Sequence, residues 1–228
     1  DVTTANYSGS APELVFEETL NRIHNIGSSF DYAWDLDIGD APVVFRGEFL
    51  YQTDVLTPVI DRHALSYGNL TEALKLEEGD YFKYVLGADF TFFTNLTVSG
   101  QFIQFVNLDY IDEVRGVDPL TSQEFSRYTG DQATLHLDNG LKRGYEHKTF
   151  GSMFLSKPFG PSQEHRVNNI TIFEEGGGWW NRLDLEYTLR DELLGTLAWN
   201  QYWGSENTLF GQFDQSSSIQ VGIKYLFE

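Results

Sequence analysis

The sequence predicts an all-β chain, and within that class an antiparallel transmembrane β-barrel of the outer-membrane type, with about nine or ten crossing strands. Apolar and polar side chains alternate over segments of about ten residues, the length that a tilted strand needs to cross a bilayer. Aromatic residues, which favour strands, make up 15% of the 228 residues. We expect residues 1–228 to form a single β-barrel domain, with residues 1–12 as an N-terminal extension or the start of a truncated chain.

Several segments alternate with a period of two, because side chains point alternately to the two faces of a strand. In "VVFRGEFLYQ", Val43, Phe45 and Phe49 lie opposite Arg46 and Glu48. The same pattern recurs in "SSFDYAWDLDIG", "YFKYVLGADFTFF", "NLTVSGQF", "NRLDLEYTLR" and the closing "SSSIQVGIKYLFE". Each of these segments is therefore predicted to be a strand with one apolar and one polar face.

The segment "TLHLDNGLKRGYEHKTFGSMFLSKPFGPSQEHRVNNITIF" is less regular. We predict two strands within it, the first ended or placed at a sheet edge by Pro158, because proline cannot donate a hydrogen bond to a neighbouring strand. Tight turns are predicted at "FFTNL" and "RDELLG". The three long polar stretches, which begin at Thr53, Asp109 and Gly204, are predicted to be loops, the longest two with short helices.

Alternation by itself fits a soluble β-sandwich or a lipocalin-like barrel as well as a membrane barrel. The size of the apolar side chains favours the membrane barrel. Many large aromatic side chains on one face would overfill the interior of a small soluble barrel, whereas a face in contact with lipid has no such packing limit.

Composition excludes several classes of protein. The net charge of −19, from 34 acidic and 15 basic residues, disfavours binding to nucleic acid, and cationic partners fit better. The chain has no cysteine, which excludes disulfides and cysteine-based metal or redox sites. No apolar run is long enough for a spanning helix, and "DVTTANYSGS" lacks the features of a signal peptide, so we expect any export signal to have been removed.

Three blocks of sequence, taken together, resemble a known family. They are "ELVFEETLNRIHNIGSSFDYAWDLDIGDAPVVFRGEFLYQTD", "YFKYVLGADFTFFTNLTVSGQFIQ" and "GWWNRLDLEYTLRDELLGTLAWNQYWGSENTLFGQFDQSSSIQVGIKYLF". The chain is similar to the C-terminal part of the uncharacterised Gram-negative outer-membrane barrel family called domain of unknown function 1302. The resemblance implies that the protein is located in the outer membrane of a Gram-negative bacterium.

Members of that family are typically much longer than this chain, so the resemblance also implies that the chain could be the C-terminal portion of a larger barrel. The end of the chain at Phe227 resembles the signal that the barrel-assembly machinery reads, although Glu228 follows it here.

No catalytic set is predicted, and we expect the protein not to be an enzyme. The closest match to the His-x-Ser arrangement of outer-membrane lipid hydrolases is "HLDNG", where Asp138 stands in place of the nucleophile two residues after His136. The acidic segment "DLDIGD" partly resembles a calcium loop but lacks a further alternating ligand and the distant glutamate. We expect neither a metal nor a cofactor.

Parity assigns polar side chains of the predicted strands to one face, and residue type assigns a set of Trp and Tyr side chains to the membrane interface. The polar side chains predicted to face the barrel lumen are Arg46, Glu48, Lys83, Asp89, Gln101, Arg182, Asp184, Glu186, Arg190 and Lys224. The aromatics predicted to lie at the membrane interface are Trp179, Trp180, Trp199, Trp203 and Tyr225. Tyr202 is the best candidate for an aromatic side chain along a solute path, because its parity matches Ala198 and Asn200.

These features predict a passive channel or diffusion port for a small solute, which could be hydrophobic. One alternative is a closed structural barrel whose loops bind a partner, and a second is a soluble β-sandwich or lipocalin-like binding protein. The expected partners are outer-membrane lipid, the barrel-assembly machinery and a small-molecule solute, with no nucleic acid.

Overall fold

The structure is a computed structural model that describes residues 2–6, 13–16, 20–111, 113–129, 145–206 and 208–225. Strands make up 66% of it and helices 8%, and the sheet is mostly antiparallel, so the all-β prediction is confirmed. No helix within the described ranges is both long and apolar enough to cross a membrane.

The secondary-structure elements follow one another mostly as hairpins. The strands are β1 (Val2–Asn6), β2 (Glu13–Phe16), β3 (His24–Trp34), β4 (Val43–Asp61), β5 (Leu74–Phe92), β6 (Leu96–Asn107), β7 (Glu113–Val117), β8 (Glu124–Thr129), β9 (His147–Phe159), β10 (His165–Glu174), β11 (Gly178–Arg190), β12 (Leu193–Trp203) and β13 (Ser218–Tyr225). Two short α-helices, α1 (Arg62–Ser66) and α2 (Leu70–Ala73), and a 3-10 helix (Gly211–Ser216) lie in the connections.

Eleven strands form one sheet, and β1 pairs with β2 in a separate two-stranded sheet. The order in the large sheet is β13-β12-β11-β10-β9-β6-β5-β4-β8-β7, with β3 also paired to β4. Across the described residues no pairing joins β13 to β3, so the closed transmembrane barrel stays a prediction.

The chain divides into two compact units. Unit 1 comprises Asp1–Gly27, Leu50–Lys83 and Phe105–His147, and unit 2 comprises Ser28–Phe49, Tyr84–Gln104 and Lys148–Glu228. The single domain predicted for residues 1–228 stays a prediction.

Two of the predicted long loops are wrong in part, because strands occupy much of them. The first shortens to residues 62–73, since β4 continues to Asp61 and β5 begins at Leu74. It holds the two short α-helices, and the side chain of Asp61 caps α1 by accepting hydrogen bonds from the N–H groups of His63 and Ala64. The second holds the hairpin β7–β8.

Both tight turns are confirmed. Residues 93–95 connect β5 to β6, where Phe93 and Thr94 both adopt positive φ angles, of 49° and 71°, which suit the backbone twist of a hairpin. Residues 191–192 connect β11 to β12. The irregular segment does contain two strands, β9 and β10, and β9 ends one residue after Pro158.

Unit 2 has a sheet with two chemically different faces. Residues paired across antiparallel strands lie on the same face. Arg182 pairs with Ile170 and Asn200, and Asp184 pairs with Asn168 and Ala198, so these polar side chains share one face. We call it the polar face and the opposite one the apolar face, which on β11 carries residues such as Leu183 and Leu185.

Side-chain contacts extend the polar face to the other strands of unit 2. On β6, Gln101 accepts a hydrogen bond from Ser152 of β9, which pairs with Ile172 on the polar side of β10. On β4, Arg46 forms ion pairs with Asp89 of β5 and Asp31 of β3. The polar face therefore runs from β3 to β13.

Candidate functional site

Eight of the ten residues predicted to face a lumen lie on the polar face of unit 2. They are Arg46, Glu48, Asp89, Gln101, Arg182, Asp184, Glu186 and Lys224. Arg182 binds Asp184 through two hydrogen bonds, at 2.8 Å from Nε and 2.9 Å from Nη2. Positive and negative side chains are both present, and some of them form ion pairs with each other on this face. Whether the face borders a lumen stays a prediction.

The other two predicted lumen residues are placed differently. Lys83 belongs to unit 1, where its Nζ lies 5.4 Å from the centre of the Tyr81 ring and 5.5 Å from that of Phe105. Arg190 lies at the end of β11, beyond a register shift that follows Thr188, so simple alternation does not assign its face.

The apolar face of unit 2 is exposed to an unusual extent. Leu86 is 43% exposed, and Ile219 and Val221 on β13 are 70% and 81% exposed. Further large apolar or aromatic side chains on this face that are exposed are Phe30, Tyr32, Trp34, Phe102, Met153, Phe173, Tyr187, Leu197, Trp199, Trp203, Ile223 and Tyr225. Among the described residues of unit 2, only Val43, Phe150 and Phe210 are buried large hydrophobic side chains.

Aromatic side chains cluster toward both ends of the apolar face. At one end, Trp179 stacks on Trp203 with ring centres 6.0 Å apart, and Phe173 lies 4.7 Å from Trp179. At the other end, Tyr187 stacks on His165 at 3.8 Å. Trp179 and Tyr187 are eight residues apart on β11, which corresponds to about 26 Å along the strand.

Four of the five predicted interface aromatics, Trp179, Trp199, Trp203 and Tyr225, lie on the apolar face. Trp180, the fifth, lies on the opposite face, because Trp179 and Trp180 are consecutive residues of one strand and must point to opposite faces. The location of the five aromatics at a membrane interface stays a prediction. Trp180 lies on the polar face, paired with Tyr202.

A ten-residue segment, residues 208–217, packs on the polar face, and we call it the strap. It contains the 3-10 helix and leads into β13. The ring of Phe210 lies 6.4 Å from those of both Phe150 and Trp180, and Phe213 lies 5.9 Å from Tyr202. The strap thus covers an aromatic group on an otherwise polar surface.

A buried glutamate holds the strap. Glu174, at the end of β10, is 3% exposed. Its carboxylate accepts a hydrogen bond of 3.2 Å from the backbone N–H of Phe210 and forms an ion pair of 3.2 Å with Nζ of Lys148. Since a buried carboxylate is costly without partners, these two contacts explain how Glu174 is accommodated.

Sequence reasoning singled out Tyr202 but missed Glu174, Phe150 and Phe210. Tyr202 lies on the polar face and stacks on Trp180 at 6.2 Å. The signal for Phe210 was its apolar neighbourhood in "NTLFGQFDQ", inside a stretch interpreted only as a loop. Nothing in the sequence pairs Glu174 with a residue 36 positions later.

Two turns outside the long strands of the sheet contain carboxylates with perturbed pKa values. Hydrogen bonds from backbone N–H groups, its own and that of Ser162, lower the pKa of Glu164, and nearby His165 acts in the same direction. In unit 1, the N–H groups of Leu120 and Thr121 lower the pKa of Asp118. Both carboxylates are fixed by the turns they close.

Unit 1 also has a surface cavity of about 300 Å³ between α1 and the β7–β8 hairpin. His63 stacks on Phe125 there, with ring centres 4.6 Å apart, and contacts the edge of Tyr67.

Burial raises the pKa of Tyr145, elsewhere in unit 1, to about 12. In the part of the chain that the structure describes, no group of three or more His, Asp or Glu side chains is arranged to hold a metal ion.

Some residues singled out from the sequence fall outside the described residues, and one other, Asp40, has a structural contact. Phe227, the predicted assembly signal, lies outside them, as do His136 and Asp138. Asp40 of the acidic segment accepts a hydrogen bond from the N–H of Thr94 and so joins two turns of unit 2.

Comparison of the chain with family models, curated proteins and solved structures found no match. The resemblance to domain of unknown function 1302 therefore stays an expectation from the sequence.

Proposed function

We propose that this chain forms part of the wall of an outer-membrane β-barrel and acts as a passive channel or diffusion port for a small solute. The observation that carries the proposal is the exposed apolar face of unit 2, opposite a face with charges of both signs.

An exposed apolar face of this extent is costly in water. Burying a side chain the size of Val, Leu, Ile or Phe is worth about 1.5–3 kcal/mol, so a soluble sheet would cover such a face with another layer. Here Leu86, Val221 and Ile223 lie on the exposed side, while few large hydrophobic side chains among the described residues are buried. Contact with lipid supplies the missing cover, and this favours the membrane barrel over a soluble sandwich.

The aromatic side chains on the apolar face support the same proposal. Outer-membrane barrels have an apolar band about 25 Å tall between two girdles of aromatic residues. The distance of about 26 Å along β11 from Trp179 to Tyr187 is of that size, and strand tilt would shorten its projection on the membrane normal.

The directions of the strands limit how this sheet could close into a barrel. From β3 to β13 unit 2 has nine strand segments, in the order β3-β4-β5-β6-β9-β10-β11-β12-β13. Because neighbours in this order alternate in direction, β3 and β13 point the same way. A fully antiparallel barrel that contains this sheet therefore requires an odd number of further strands between β13 and β3.

The polar face supports a solute path of mixed charge. Arg46, Glu48, Glu186 and Lys224 give it charged side chains of both signs. Selection would then depend on the width of the opening and the local charge, without a cofactor. The ion pairs Arg46–Asp89 and Arg182–Asp184 favour a second candidate, a closed structural barrel in which paired charges fill the interior.

Two measurements test the proposal. The full-length protein, extracted from outer membranes, is run on SDS gels with and without boiling, and is then added to planar lipid bilayers in KCl. We expect a compact unboiled band that shifts on boiling, and stepwise conductance. A shift without conductance would favour the closed structural barrel, and a protein that stays soluble without detergent and shows no shift would refute the membrane barrel.

A further inference from the structure

The strap is an ordered segment on the polar face of unit 2, although a connection between two strands could remain in solvent. Its Phe210 is 9% exposed and Thr208 is 3% exposed. Thr208 donates a hydrogen bond of 2.7 Å to the carbonyl oxygen of Ser205 and accepts one of 3.1 Å from the N–H of Gly211. Thr208 thus fixes the fold of the strap itself, and the hydrogen bond from Phe210 to Glu174 fixes the strap against the sheet.

Glycines allow close contacts between the strap and β11 and within the connection from β12 to β13. A Cβ on Gly178 would lie 2.8 Å from Cβ of Thr208 and 2.9 Å from Oε2 of Glu174, and a Cβ on Gly211 would lie 2.0 Å from the carbonyl oxygen of Ser205. Such distances are shorter than side chains tolerate, so these positions require glycine in this arrangement.

The position of the strap has a consequence for any path along the polar face. The polar face is the side that the proposed channel would present to its lumen, and the strap lies on that side, over Trp180 and Tyr202. A segment that leaves the wall and packs on the lumen side narrows the lumen at that level.

We propose that the strap is the constriction of the channel and sets the size limit of the solutes that pass. This inference rests on the proposed channel function. Phe210 anchors the strap by packing between Phe150 and Trp180, and Glu174 fixes it through the N–H of Phe210. At the strap, Phe213 is 39% exposed beside Tyr202, so an aromatic surface borders the opening and favours small or flat solutes over bulky ones.

The test compares single-channel conductance of the full-length protein with that of three variants in KCl. Phe210→Ala removes the anchor, and Glu174→Gln removes the charge that pairs with Lys148. Phe173→Ala is the matched control, since Phe173 is next to Glu174 on β10 but on the apolar face. Heat-dependent gel mobility checks that each variant folds, and neutral polymers of graded size measure the opening.

For Phe210→Ala we expect a conductance about twofold higher or more and the entry of larger polymers, because release of the strap widens the path. Glu174→Gln should give a smaller rise, and Phe173→Ala should match the wild type. If wild type and Phe210→Ala conduct equally and exclude the same polymers, the constriction is refuted while the channel stands. If neither conducts although both fold, the channel itself is refuted.

Discussion

Trp179 and Trp180 are adjacent in the sequence, yet they lie on opposite faces of β11 and belong to different aromatic groups. Trp179 stacks on Trp203 at 6.0 Å on the exposed apolar face, and Trp180 stacks on Tyr202 at 6.2 Å on the polar face. The two tryptophans therefore have different roles: Trp179 belongs to the proposed membrane interface, and Trp180 supports the strap.

Replacing each tryptophan with alanine should separate these roles. Trp180→Ala should release the strap, because it removes the ring against which Phe210 packs, and should lower the free energy of unfolding by about 0.5–3 kcal/mol, since Trp180 is only half-buried. Trp179→Ala should leave the strap in place. Limited proteolysis within residues 208–217 measures the difference, and equal protection of the strap in both variants would contradict this assignment.

The apolar face can be tested by placing a charge on it. Leu86→Arg should cost about 2–4 kcal/mol of folding free energy if Leu86 lies near the middle of the membrane, because the guanidinium would contact lipid. Thr91→Arg on the same strand, but on the polar face, is the matched control and should cost much less. Unfolding in urea from lipid vesicles measures both, and equal costs would be inconsistent with a lipid-facing Leu86.

The edge strand β13 allows a residue-by-residue test in membranes. Single cysteines placed in turn at residues 219–224 can carry nitroxide spin labels, since the chain has no other cysteine. Labels at Ile219, Val221 and Ile223 should be more accessible to oxygen, and labels at Gln220, Gly222 and Lys224 to a water-soluble nickel complex. Loss of the period of two, or its inversion, would rule out the assigned faces.

Gly178 of β11 and Gly151 of β9 differ in the space that a side chain would find there. Gly178→Ala should destabilise the protein by about 1–3 kcal/mol, because the new methyl group would meet Thr208 and Glu174. Gly151→Ala in β9 is the control, since no atom lies within 4 Å of a Cβ built there. Thermal unfolding of both variants measures the difference, and a Gly178→Ala variant as stable as wild type would show that the strap is not packed closely against β11.

Glu164 makes the turn between β9 and β10 sensitive to acid. Its pKa is lowered in the folded protein, so its contribution to stability is fully present above the pKa of the unfolded chain and is lost as the pH falls through the lower, folded value. Glu164→Gln should therefore reduce the loss of stability in that acidic range. NMR titration of the Glu164 carboxyl carbon checks the direction, and an ordinary or raised pKa would contradict it.

The period of two in the sequence determined the all-β class and the side of the sheet on which most side chains lie. Arg46 with Glu48, Arg182 with Asp184, and the row of apolar residues on β13 all followed from it, because alternation is a local property of the extended backbone. The tight turns at residues 93–95 and 191–192 were equally local.

Only the tertiary structure decided how distant segments combine. It placed β6 beside β9 and β8 beside β4, extended β4 and β5 into one predicted loop, and brought Phe210 and Glu174 together. These contacts join residues far apart in the chain, and the free energy that selects them comes from packing and from the pairing of a buried charge. The alternation of apolar and polar residues reports neither of these interactions. The sequence therefore predicted the two faces of the sheet but did not predict the strap.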